Sequence, residues 1–228
     1  MKKGNTLVMT VIILISLALV GGIAYMLLNE ESNINQGRFR VNDIKIKSDV
    51  DAEDKTINLN DWKLNLSQTN HVMILIDKEE NSILSKIYID EIEVKSPIKK
   101  GNFYIRPKDS KVKYKLDSKD PLQLDLFLKE QAGCYLAELD INNDEFVTGY
   151  KIPSTEKKIV LDGTLLKRIK VPTKNLYFKI SFNLNIIDIQ GNLNTARITL
   201  DAPSKELETA GSVEKKVDVK NFGFKIIE

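Results

Sequence analysis

Two patterns of apolar and polar residues divide the chain. From Leu7 to Leu28 the sequence carries no charge, and 22 such residues in a helix span roughly 33 Å, the thickness of a bilayer's hydrocarbon core. Beyond residue 36 the dominant period is two. Leu176, Phe178, Ile180, Phe182, Leu184 and Ile186 alternate with polar residues, and Gln190-Gly191-Asn192 then offers a turn. Ala196, Ile198 and Leu200 alternate on the return, and Pro203 ends it. This predicts a long hairpin with one buried face. Similar alternation predicts strands at Trp62–Leu66, Val112–Leu116 and Leu122–Leu126. Val72–Ile76 is a continuous apolar run, which suggests a central strand buried on both faces. Helical periods are nearly absent; Thr164–Arg168 and Ser204–Glu208 could each form a turn or two.

One pattern recurs. Phe39, Val41, Ile44 and Ile46 are spaced as Ile87, Ile89, Ile92 and Val94, two alternating pairs offset by two polar residues. A weaker third form runs from Val217 to Lys225. In a regular strand the offset would send the second pair to the opposite face. A β-bulge at the polar pair would restore the facing, because it inserts one extra residue; the alternative is a strand that bends from one sheet into the other. The recurrence is taken as evidence for such bent, edge-crossing strands. Copies this few and this unevenly spaced do not make a solenoid.

Many short strands joined by turns imply an antiparallel β-sandwich, one large or two smaller. The predicted organisation is a cytoplasmic tail or leader at 1–6, a transmembrane helix at 7–28, a linker at 29–36 and an all-β ectodomain at 37–228. Pro97, Gly101, Pro107 and Pro121 make 97–121 the place where that ectodomain would divide.

The flanks of the apolar run set its expected orientation. Lys2, Lys3 and the terminal amine precede it, Glu30 and Glu31 after it contribute little, and Arg38 and Arg40 on the far side reduce the bias without reversing it. The N-terminus is therefore expected in the cytoplasm and the β region outside it, in a single-pass protein of the cell membrane. Gly22-Ile23-Ala24 would suit a signal-peptide cleavage site, but the apolar run continues to Leu28, which favours retention. The only cysteine, Cys134, is far from the N-terminus, which removes a lipoprotein reading.

Lys2-Lys3-Gly4-Asn5-Thr6-Leu7-Val8 resembles the leader junction of type IV prepilins, over residues 1–24 only. The resemblance implies cleavage after Gly4 and a mature chain beginning at Asn5. It departs from the family at Met9, where the usual residue is Glu, and at Asn33, Asn35 and Gly37, which are poor continuations of a helix. Ile87–Ser96 resembles the closing strand of jelly-roll carbohydrate-binding and laminin-G-like modules, over that one strand.

Charge narrows the function classes. Of the 34 Lys and Arg, Lys2 and Lys3 precede the apolar run, and the other 32 balance the 32 Asp and Glu beyond it. A nucleic-acid-binding region would carry a basic excess, so that class is set aside. One cysteine forms no intrachain disulfide, so the core alone must hold a region of this size. Disulfide-free extracytoplasmic domains fit a bacterial envelope better than eukaryotic secretion.

Candidate chemistry is sparse. A catalytic set built on histidine would have to use His71, and one His with one Cys cannot form a four-ligand zinc site. Cys134, after Ala132-Gly133, reads as a small core residue, and so does Trp62 at the start of its strand. Asp140, Asn142 and Asp144 match the opening of a calcium loop, but Glu145 replaces the required Gly and Lys151 replaces the final acid. They and the acidic run Asp49–Asp54 are expected in solvated loops. No pattern requires a cofactor. The reading is a membrane-anchored surface protein with a structural role or an unidentified protein or surface-polymer partner. Its rivals are a minor pilin-like subunit and a carbohydrate-binding or carbohydrate-active module.

Overall fold

The computed structural model describes residues 38–58, 61–96, 102–116, 119–131, 133–152, 165–168, 177, 179–203, 207 and 212–227. The apolar run 7–28 and the junction Gly4/Asn5 lie outside them, as do Leu176 and Phe178. Arg38–Glu228 is one compact unit.

The unit is all-β, and its sheets are antiparallel, as the alternation predicts. The first contains β1 (Phe39–Asn58), β2 (Asp61–Lys78), β4 (Asn102–Pro107), β5 (Tyr114–Lys115), β7 (Lys129–Gln131), β8 (Cys134–Ile152) and β11 (Ser212–Val217). Its order is β11-β1-β2-β8-β4-β5, with β7 also on β8. The second runs β12-β10-β9-β3-β6, from β3 (Leu84–Lys95), β6 (Leu122–Gln123), β9 (Lys179–Asp188), β10 (Leu193–Asp201) and β12 (Lys225–Ile227).

Both sheets turn their apolar faces into one core. Ile44, Ile46, Val72, Ile74 and Leu139 come from the first, and Ile87, Ile89, Phe182, Leu184 and Ile198 from the second. A small cavity lined by Val72 and Ile141 on one side and Ile180 and Leu200 on the other lies at their meeting. Two antiparallel sheets sharing one core are consistent with a β-sandwich.

The β9–β10 hairpin forms as expected, with Phe182 opposite Ile198 and Leu184 opposite Ala196. Its turn uses Gly191 at φ +88°, a conformation that costs glycine little. In its first two copies the repeated spacing is absorbed by bulges within one sheet, not by the bent, edge-crossing strands expected. In β1 the pairing steps from Val41–Ile76 to Asp43–Leu75, leaving Asn42 as the extra residue, and Phe39, Val41, Ile44 and Ile46 all reach the core. In β3 the step is from Asp90–Asn183 to Glu93–Ser181, with Glu91 at φ 45°. Arg197 secures that bulge by donating from Nη1 to the Glu91 carbonyl at 2.9 Å. The third form behaves differently. β11 ends at Val217 in the first sheet, and the chain crosses through a turn at Val219–Phe222 to β12 in the second.

Several expectations are corrected. Val72–Ile76 is a central strand, but only Val72, Ile74 and Ile76 are buried; Met73 and Leu75 are half-buried on the outer face. Val112–Leu116 yields just the two-residue β5, with Val112 exposed. Leu122–Leu126 gives β6 and then a 3₁₀ turn at Asp125–Phe127, where the Asp125 carboxylate accepts from the Ile87 amide. The turn replaces the strand without stranding β3: the Leu124 amide donates to the Ile87 carbonyl at 2.9 Å, so with Asp125 both backbone groups of Ile87 on this side are satisfied. The short helix α1 (Leu165–Arg168) forms as expected. Of Ser204–Glu208 only Leu207 is described; it is buried in a helical position.

Candidate functional site

Titratable groups converge on the outer face of the first sheet, where β2, β8, β4 and β7 lie side by side. Residues directly opposite in adjacent antiparallel strands face the same side. His71 on β2 is opposite Asp140 on β8, and Asp140 is opposite Arg106 on β4. Glu138 lies two residues before Asp140 and so shares its face.

His71 sits between two carboxylates. Its Nδ1 is 2.9 Å from Asp140 Oδ1 and its Nε2 is 3.2 Å from Glu138 Oε1. Ionised carboxylates only accept, so both contacts are hydrogen bonds at once only when the ring donates from both nitrogens as the imidazolium. Its pKa is accordingly raised, first by the Asp140 hydrogen bond, against an opposing effect of burial.

The carboxylates have further cations. Arg106 Nε and Nη2 approach Asp140 Oδ2 at 3.1 and 3.0 Å. Lys108 Nζ is 2.7 Å from Glu138 Oε1, and Lys129 Nζ is 2.5 Å from Glu138 Oε2. Burial alone would push the Glu138 carboxyl up. Lys108, Lys129 and His71 outweigh it and bring the pKa down to about 2. Asp140 is lowered chiefly by His71, with Arg106 adding to the effect against burial.

What this cluster can do chemically follows from occupancy. A general base needs a free, neutral nitrogen aimed at the proton it removes. Both nitrogens of His71 are engaged by carboxylates, so the ring acts as a clip across β2 and β8. The cluster then has a stated pH dependence. Glu138 is depressed, so its contribution is fully present above the ordinary carboxylate value of 4.5 and is lost as pH falls toward about 2. The contribution is on the order of 1–2 kcal/mol, since the lysines reach it from solvent and water screens them. His71 is raised, so its contribution is present below 6.5 and fades as pH rises through the higher folded value. Denaturant titrations of Glu138→Gln should show a shallower acid limb, with the shares of Asp140 and Asp188 remaining, and those of His71→Gln should lose the limb above 6.5.

The calcium candidates are in β8, not in a loop. Asp140, Asn142 and Asp144 occupy alternate positions along the strand, spanning roughly 13 Å between the first and last. A calcium ion needs its oxygens within about 2.3–2.6 Å, which three such side chains on an extended strand cannot supply together. Each has a protein partner instead. Asp140 holds His71 and Arg106, Asn142 Oδ1 accepts from Thr69 Oγ1 at 2.9 Å, and Asp144 lies 3.5 Å from Lys113 Nζ. The Asp49–Asp54 run likewise falls within β1. Among the described residues no group of three or more His, Cys, Asp or Glu is placed to hold a metal ion.

Cys134 is also not a core residue. It opens β8 half-buried, and its Sγ donates to Asp77 Oδ1 at 2.9 Å, which raises the thiol pKa. The side chain of Trp62 lies outside the described residues.

Sequence reasoning passed over Asp188, the most heavily bonded carboxylate of the hairpin turn. Its Oδ1 accepts from the Gln190 and Asn192 amides at 2.9 Å each, and its Oδ2 from Asn192 Nδ2 and Arg38 Nη1 at 2.9 Å each. The signal was an aspartate two residues ahead of Gln190-Gly191, the position from which Asp closes a turn on its own backbone. Comparison with protein-family models, curated proteins and solved structures found no match.

Proposed function

We propose that this is a single-pass, membrane-anchored bacterial envelope protein whose β-sandwich lies outside the cytoplasmic membrane and serves a structural or protein-interaction role. The observation that carries the proposal is the uncharged run Leu7–Leu28 behind Lys2 and Lys3, a short linker ahead of an all-β unit. The face around His71 supports an interaction role over catalysis, because its acids and bases neutralise one another across strands. Contacts to a partner would then come from loops and edges, with no single polar residue carrying activity.

The processing rival is a pilin-like subunit, favoured by the Gly4-Asn5 junction alone. N-terminal sequencing of the mature chain from cells containing a prepilin peptidase separates the two. A chain beginning at Met1 or Lys2 retains the plain anchor, and one beginning at Asn5 replaces it with the pilin reading. The non-enzymatic reading predicts that His71→Ala and Cys134→Ser leave cellular activity unchanged. A His71→Ala protein with wild-type circular dichroism and lost activity would overturn it.

A further inference from the structure

Exposed isoleucines gather at one end of the second sheet. Ile83, Ile189, Ile226 and Ile227 are 52%, 56%, 51% and 52% exposed. Ile189 and Ile83 are adjacent, since the Ile189 amide donates to the Ile83 carbonyl at 3.1 Å. Ile227 is opposite Leu193, which is in turn opposite Ile187 one residue pair from the same turn.

The unit also begins at this end. Arg38, its first residue, bonds to Asp188 and Gln190 in the β9–β10 turn, and its carbonyl accepts from the Glu79 amide at 3.0 Å. Phe39 meets Phe224, just before β12, with ring centroids 6.4 Å apart. The linker from residue 29 to residue 37 can reach roughly 30 Å at full extension. Nine residues of sequence thus separate the apolar run from Arg38, at the isoleucine-bearing end of the unit.

We infer that this end of the fold docks on the lipid bilayer, with Ile83 and Ile189 entering the interface. The inference rests on the membrane-anchored reading above. Apolar burial is its basis: Arg38 is paired with Asp188 and Lys78 with Glu130, so the docking depends little on anionic lipid.

The test uses the full chain in vesicles of phosphatidylcholine and phosphatidylglycerol at a ratio of about 7:3, with and without brominated acyl chains. Ile83→Trp and Ile189→Trp report on the docking end. Ser212→Trp is the control, because Ser212 is opposite Asp49, roughly 33 Å along β1 from Phe39. Wild-type chain supplies the background of Trp62.

The docking predicts quenching at Ile83→Trp and Ile189→Trp at least about threefold above Ser212→Trp, at any anionic fraction. Carbonate-resistant flotation of the same samples reads the anchor separately. Flotation without extra quenching would overturn the docking and leave the anchor standing, while failure to float would overturn the anchor reading first. Emission that shifts with protein concentration and not with brominated lipid would overturn the docking in favour of a second copy.

Discussion

Phe182→Asp is expected to abolish the cooperative fold. Phe182 is fully buried, opposite Ile198 on the core face of β9. Removing a buried phenylalanine costs about 3–5 kcal/mol, and burying an unpartnered carboxylate costs several more. A domain's whole stability is about 5–15 kcal/mol. The variant should lose near-ultraviolet circular dichroism and show no sigmoidal thermal transition. Phe182→Leu, which keeps an apolar side chain of smaller volume, should remain folded with a lowered melting temperature. A Phe182→Asp protein melting like wild type would mean that this face is not the core.

The second large effect is expected at Asp188→Ala. Its loss leaves the Gln190 and Asn192 amides and the Arg38 guanidinium without their common acceptor. Stranding a buried donor costs about 1–3 kcal/mol; these amides are part-buried, and they and Arg38, which is 39% exposed, recover part of that from water. We expect a loss of about 1–3 kcal/mol in denaturant unfolding, and less for Asp188→Asn, which keeps one acceptor oxygen. The Asp188 carboxyl is held below the ordinary range because these donors outweigh burial. Its stabilisation is therefore present above that range and is lost in acid. Equal stability of Asp188→Ala and wild type at neutral pH would remove the turn's carboxylate from the list of supports.

The core face was legible because it is local. Ile180, Phe182, Leu184 and Ile186 announce a strand by their period, and Gly191 marks its turn without reference to any distant residue. The offset in the apolar spacing was legible for the same reason, but its resolution was not: bulges absorb it where crossing strands were expected, because that choice depends on the register of the partner strand. Strand length was less so. The period of Val112–Leu116 and Leu122–Leu126 is real, but a strand persists only where a neighbour supplies its hydrogen bonds. β5 and β6 are paired over two residues each.

The cluster around His71 was not legible at all. Its geometry depends on the register between β2 and β8, which joins His71 to residues 67 and 69 positions away. Nothing near His71 in sequence fixes that register. Cys134 was misassigned for a different reason, since its parity was available. Tyr135, Ala137, Leu139 and Ile141 form the buried face, which leaves Cys134 with Leu136, Glu138 and Asp140 on the other. The triplet Asp140, Asn142 and Asp144 likewise continues the alternation of β8, and its spacing of two is the period of a strand before it is that of a calcium loop.

The most direct measurement is protease accessibility in intact spheroplasts, with an antibody tag at the N-terminus. With Lys2 and Lys3 in the cytoplasm and residues 29–228 outside, added protease should digest the β unit and leave a small membrane-bound N-terminal fragment. A β unit that stays intact until the spheroplasts are lysed would contradict the orientation, and recovery of the chain in the soluble medium would contradict the anchor.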